Sequence, residues 1–205
     1  MAKKKIVKMA APLAGEPIAE KKKRTKKILT GLHKLYPEAT CALEHTDAFQ
    51  LLIATILSAQ STDVTVNKVA PVLFAKYPTP QTLAGARTAD VEKIIHQTGF
   101  FRQKTKSVIG ASHAIVERFG GKVPDDLESL ITLPGVARKT ANVVLGTAFG
   151  KNEGVVVDTH VGRLAMRLGL TWTARNPKDA VRIEQDLMQI VPRDQWTFFG
   201  HSLIW

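Results

Sequence analysis

The sequence predicts an all-α protein, and three observations carry that expectation. Apolar residues recur at helical spacing along most of the chain. Gly and Pro fall where those patterns stop, and the only strand-like run, Val155-Val156-Val157, has no partner segment. Residues 1 to about 21 mix Lys, Ala, Gly and Pro without a period and read as a flexible basic arm. A basic helix follows from about Lys22 to Leu35, before Pro37. Asp47 is placed to N-cap a helix whose Phe49, Leu51, Leu52, Ile53, Ile56 and Leu57 are apolar on nearly every side, the mark of a helix in mid-core. Helices over about 62–76, 80–85 and 89–97 lead to Gly99. From about 103 to 119, Val108, Ser112, Ile115, Val116 and Phe119 share one face, and Gly120-Gly121 ends the run. A short helix near 126–132 precedes Leu133-Pro134-Gly135, and Ala141, Val144, Leu145 and Ala148 mark the next, over 137–149. Val161, Leu164, Ala165 and Leu168 mark another, stopped by Gly169. Asn176-Pro177 reads as cap and first turn of a helix carrying Ala180, Ile183, Leu187 and Ile190. The last ten residues, from Trp196, read as an amphipathic helix that stops in mid-pattern at Trp205.

The net charge of +11 points to a polyanionic partner, but +8 of it lies in residues 1–27, so charge permits nucleic acid without establishing it. The single cysteine, Cys41, rules out an internal disulfide and any site built from several thiolates, and fits a reducing, cytoplasmic setting. No metal-ligand set is expected. The apolar stretch after Lys8 is broken by Pro12, Gly15, Glu16 and Pro17 and is no secretory signal. The strongest apolar run, 51–59, is too short to span a bilayer, so no membrane partner is expected.

Two segments carry chemistry. Ile131-Thr132-Leu133-Pro134-Gly135-Val136-Ala137-Arg138-Lys139-Thr140-Ala141 sets a tight glycine turn between two helices. The first amides of the second helix are then unsatisfied donors at the positive end of a dipole, suited to a backbone phosphate. By itself such a turn more often marks a plain helix connection, and a non-enzymatic DNA-binding module would need the hairpin and basic arm but neither Lys139 nor Asp158. Lys139 sharpens the choice, because a cation in a first helical turn is electrostatically unwelcome, and broken local rules are common at functional sites. A helix N-terminus with partial burial favours a neutral, nucleophilic amine. The second segment is Val155-Val156-Val157-Asp158-Thr159-His160, where Asp158 can N-cap a helix and still offer a carboxylate to charge developing at a sugar C1′.

The blocks 133–144, around Leu133-Pro134-Gly135 and Lys139-Thr140-Ala141, and Val157-Asp158-Thr159-His160-Val161-Gly162-Arg163 resemble the endonuclease III family of helix-hairpin-helix DNA glycosylases. Leu57-Ser58-Ala59-Gln60-Ser61-Thr62-Asp63 is similar to that family's N-terminal signature, and the likeness runs from about Lys26 to Trp205. The resemblance implies base excision repair of duplex DNA carrying damaged bases, chiefly oxidised pyrimidines, or abasic sites. Lys139 would attack C1′ and form a Schiff base, Asp158 would be the essential carboxylate, and Gln60 would fill the gap left by an extruded nucleotide. In Thr98-Gly99-Phe100-Phe101-Arg102-Gln103-Lys104, Phe100 would be the apolar wedge, with Lys104 among the DNA contacts. Gly135, Ala137, Arg138, Thr140 and His160 complete the expected DNA-binding set. The related adenine glycosylases, which lack a lyase step, carry a different residue at the Lys139 position, so the resemblance implies a bifunctional enzyme.

The resemblance also implies two lobes with a cleft between them, Lys139 and Asp158 facing across its mouth. A six-helix lobe would span 41–152, and 22–40 with 153–205 would form a second lobe, incomplete at its C-terminus. Two departures stand out. Ala137 replaces the family's usual glycine, with a small expected effect because the amide donors remain. The family commonly holds a four-cysteine 4Fe-4S cluster after a His-Gly-Arg segment, and this chain reads His201-Ser202-Leu203-Ile204-Trp205 where that segment would begin. The cluster is expected only in a longer form. A monomer acting on the nucleoid is expected.

Overall fold

The structure, a computed structural model, describes residues 15–205, so most of the expected arm lies outside the described residues. α1 (Ile18–Leu35) precedes seven α-helices that lie in one compact unit, Cys41–Glu153. They are α2 (Ala48–Ser58), α3 (Asp63–Lys76), α4 (Pro80–Ala84), α5 (Thr88–Ile95), α6 (Phe101–Phe119), α7 (Leu127–Leu130) and α8 (Arg138–Ala148). A 3-10 turn, His96–Thr98, joins α5 towards α6. α9 (Thr159–Arg167), α10 (Ala180–Ile190) and α11 (Trp196–Ser202) form a second unit with α1. The described residues are helical with no strand, as the periodicities predict. None of their helices is long and apolar enough to cross a membrane.

In the first unit α2 is the central rod. Asp47 caps it by accepting from the Gln50 amide at 2.8 Å, and every side chain from Leu51 to Leu57 is buried. The one hydroxyl in that run is satisfied, since Thr55 donates to the Leu51 carbonyl at 2.7 Å. α3, α6 and α8 pack around α2, and α4 and α5 lie along α6. Each fully buried Leu or Ile contributes about 1.5–3 kcal/mol, so this helix anchors the unit that carries Lys139.

The second unit buries Leu29 of α1, Val157, Val161 and Ala165 around α9, Ile183 and Leu187 of α10, and Phe199 of α11. Val155, Val156 and Val157 are buried and form no strand. Gly200 of α11 makes room for them, because a Cβ there would stand 3.3 Å from the Val156 carbonyl oxygen. Asp186, buried in α10, accepts from the Thr171 hydroxyl at 2.6 Å and from the amides of Trp172 and Thr173 at 2.8 and 2.9 Å. That carboxylate ties α10 to the chain leaving α9.

Three boundaries differ from the sequence reading. The basic helix begins at Ile18, not near Lys22, so residues 18–21 are helix and not arm. Glu16 explains the early start: it holds Arg24 at 2.7 Å and Lys21 at 3.2 Å, and these hydrogen bonds, Arg24's first, lower its carboxyl to about 2. Arg24 also donates to the carbonyls of Leu168 and Gly169 at the end of α9. α10 begins at Ala180, although Asn176 does accept from the Lys178 amide at 2.9 Å. The Pro177 carbonyl sits where a Cβ on Gly162 would be only 2.1 Å away, so packing on α9 holds Pro177 out of the helix. α11 stops at Ser202, and the Trp205 indole donates to the Thr40 carbonyl at 3.0 Å.

Candidate active site

The hairpin between α7 and α8 is built by its turn. Asp126 caps α7 by accepting from the Ser129 amide at 2.8 Å, a bond that also holds its carboxyl below the usual range. The Val136 amide then closes on the Leu133 carbonyl at 3.1 Å, with Pro134 and Gly135 between them. Gly135 has φ +78°, the left-handed step that a type II turn requires at that position. Leu133 and Val136 are buried and anchor the turn. Pro134 lies against Gly110 of α6, and a Cβ on Gly135 would stand 2.7 Å from the Ser107 Cβ. Gly135→Ala therefore meets both a forbidden φ and a clash. It is expected to cost about 1–3 kcal/mol in denaturant unfolding and to weaken binding to undamaged duplex. Unchanged stability and unchanged binding together would contradict this account of the turn.

The turn delivers an uncapped helix N-terminus. Ala137 is the N-cap of α8, in extended conformation, and has no side-chain acceptor for the amides that follow. Ala137, Arg138 and Lys139 are exposed and Thr140 is half-buried. Arg138 reaches the Glu153 carbonyl at 3.5 Å. Lys139 makes no hydrogen bond or ion pair among the described residues. Its exposure corrects the expectation of partial burial: it sits at the second helical position of α8, which the turn projects outward.

Asp158 is fixed from its own unit. It N-caps α9, one carboxylate oxygen accepting from the amides of His160 at 2.9 Å and Val161 at 2.8 Å. The other oxygen has no hydrogen-bond partner among the described residues. The buried Val155-Val156-Val157 segment and Val161 hold the cap on either side. His160 is exposed, and its Nδ1 lies 3.2 Å from Arg163 Nη2, so Arg163 donates and the ring nitrogen accepts.

Gln60 and Phe100 stand out together. They are the only non-glycine residues with positive φ among the described residues, at 54° and 45°. Left-handed backbone costs an ordinary residue about 1–2 kcal/mol, and such strain clusters at ligand clamps and active sites. Both side chains are exposed, Phe100 at 68%. Phe101 turns the other way, its ring 4.5 Å from His96 with the Arg102 guanidinium 5.4 Å over it. The two adjacent phenylalanines thus divide, one packed and one displayed.

Lys104 is a correction. Expected among the DNA contacts, it is only 5% exposed, and its Nζ donates to the Thr98 carbonyl at 2.7 Å. Desolvation pushes its ammonium down from the ordinary lysine range. The signal was in the helical period, because Lys104 lies one turn before Val108 and shares the buried face of α6 with Ser112 and Ile115.

The HhH-GPD superfamily of base excision DNA repair proteins matches residues 53–193. Endonuclease III of Synechocystis sp. is 54% identical over 188 residues, which span 92% of this chain and 84% of the relative. The chain belongs to the endonuclease III family. Endonuclease III of Bacillus subtilis is 42% identical over 172 residues, covering 83% of this chain and 76% of its own. Among solved structures, a trapped endonuclease III–DNA covalent intermediate superposes with a TM-score of 0.82 at 38% identity, over 89% of this chain and 84% of that one. As a member of that family, the protein is a DNA glycosylase with abasic-site lyase activity, acting in base excision repair. The four-cysteine cluster common in the family needs four thiolates, and these 205 residues supply one, Cys41. The residues present do not fit that group.

Proposed function

We propose that this enzyme removes oxidised pyrimidines from duplex DNA and then cleaves the strand through an imine on Lys139. The observation that carries the proposal is the exposed Lys139 amine, without a protein partner among the described residues, in the first turn of the uncapped helix α8. The turn at Gly135 and the amides following Ala137 suit a phosphate of the DNA backbone, with Arg138 and Thr140 beside it. His160 would add a contact near Asp158. Gln60 and Phe100, strained and exposed, would enter the duplex: Phe100 parts the stack and Gln60 occupies the space of the extruded nucleotide.

The Lys139 nitrogen adds to C1′ as the bond from C1′ to the base breaks, and the proton that the nitrogen gives up leaves with the base or with water. The sugar ring opens at the bond from C1′ to the ring oxygen, which takes a proton from water to become a hydroxyl, and the C1′–N bond becomes an iminium. Loss of a C2′ proton then expels the 3′ phosphate oxygen, and water frees the lysine. The carboxylate oxygen of Asp158 not used for capping is available to stabilise positive charge at C1′ while the base departs. The covalent DNA intermediate trapped with a relative at 38% identity supports this route. One chain would act per lesion, on chromosomal DNA.

A duplex holding one 5,6-saturated thymine tests the proposal. The expected products are free base and a nicked strand whose 3′ end carries an α,β-unsaturated aldehyde. Base release with an intact abasic strand would overturn the lyase step, and no base release would overturn the lesion class.

A further inference from the structure

We propose that Lys104 is a positioning residue for strand opening, clamping the turn at residues 98–100 so that the Phe100 ring is held out to part the bases. The inference rests on Phe100 being the wedge. Lysine is rarely buried without a partner, and here a single residue grips both sides of one glycine. Lys104 Nζ donates to the Thr98 carbonyl at 2.7 Å, while its backbone amide donates to the Phe100 carbonyl at 3.1 Å. Between those two carbonyls the chain takes two left-handed steps. Gly99 has φ 68° and ψ 159°, a region open almost only to glycine, and Phe100 has φ 45° and ψ 29°. Strained backbone of this kind persists only where the surroundings over-determine it.

The cost of the arrangement argues for its use. A cation near the first turn of α6 opposes the helix dipole, and its burial forfeits hydration. A methionine would fill the same space without either penalty. What the ammonium supplies is a charge-assisted bond to a carbonyl at the end of the 3-10 turn. That bond fixes the direction in which the next two residues leave. A buried charge is thus committed to displaying a phenyl ring that is 68% exposed. Holding the ring in place before DNA arrives lowers the ordering cost of inserting it. The benefit falls on opening the stack and not on imine formation.

The test compares two substrates at single turnover: a lesion within duplex DNA, and a pre-formed abasic site in single-stranded DNA, where there is no stack to open. Lys104→Met is expected to slow excision from the duplex about tenfold while leaving imine trapping on the single strand within about twofold. In a Phe100→Ala background, Lys104→Met should add less than about twofold, because the lysine acts through that ring. Equal slowing on both substrates, no slowing, or full additivity with Phe100→Ala overturns the clamp. If Phe100→Ala itself leaves duplex excision unslowed, the wedge reading fails and the clamp with it. Where Lys104→Met no longer melts cooperatively, Gly99→Ala takes its place, straining the same turn without touching the buried cation. Its slowing of duplex excision must likewise vanish beside Phe100→Ala, and slowing that persists overturns the clamp.

Discussion

Replacing Lys139 by glutamine is expected to lower strand cleavage at an abasic site by about a thousandfold or more, equivalent to roughly 4 kcal/mol of barrier. The side chain is exposed and makes no hydrogen bond or ion pair among the described residues, so its loss removes no packing. Thermal stability should hold, or rise by a few tenths of a kcal/mol, because a cation leaves the first turn of α8. Affinity for an abasic duplex should change only a few-fold, since the turn at Gly135 and the α8 amides are untouched. A variant that still melts and binds as the wild type does, yet cannot cut, separates this enzyme from a binding module sharing the same hairpin. Cleavage retained within tenfold would remove Lys139 from the chemistry.

Asp158 calls for a paired substitution, because it has two jobs. Asparagine keeps an acceptor for the amides of His160 and Val161, so Asp158→Asn should hold stability within about 0.5 kcal/mol. It removes the charge, and base excision should fall about a hundred- to a thousandfold. Asp158→Ala loses the cap as well and should cost a further ~1 kcal/mol in unfolding. Single-turnover excision beside urea titrations distinguishes the two. An active Asp158→Asn enzyme would reduce Asp158 to a structural cap.

Much of this was legible from residue types alone. The apolar run from Leu51 to Leu57 and its Asp47 cap identify the central helix. Pro134-Gly135 before the helical spacing of Ala141, Val144, Leu145 and Ala148 identifies the hairpin, and Asp158 is legible as a cap because the helix pattern starts at once behind it. These are local signals, carried by residues within one or two turns of each other. What was not legible depends on partners far away in the chain. The docking of α1 on the end of α9 needs Arg24 to meet Leu168 and Gly169, and the late start of α10 needs Pro177 to press on Gly162. The left-handed backbone at Gln60 and Phe100 has no composition signature, since neither residue favours that region. Lys104, which the resemblance places among the DNA contacts, lies by its position in the helical period on the buried face of α6. The exposure of Lys139 likewise follows from how α8 sits and not from its sequence.

The most direct test of the central claim is to incubate the protein with an abasic duplex under borohydride, digest the adduct and map the modified residue by mass spectrometry. Reduction should freeze a secondary amine between the sugar and one side chain, and the account predicts that the sugar mass sits on Lys139. A folded, DNA-binding enzyme that gives no adduct, or an adduct on any other lysine, would contradict it.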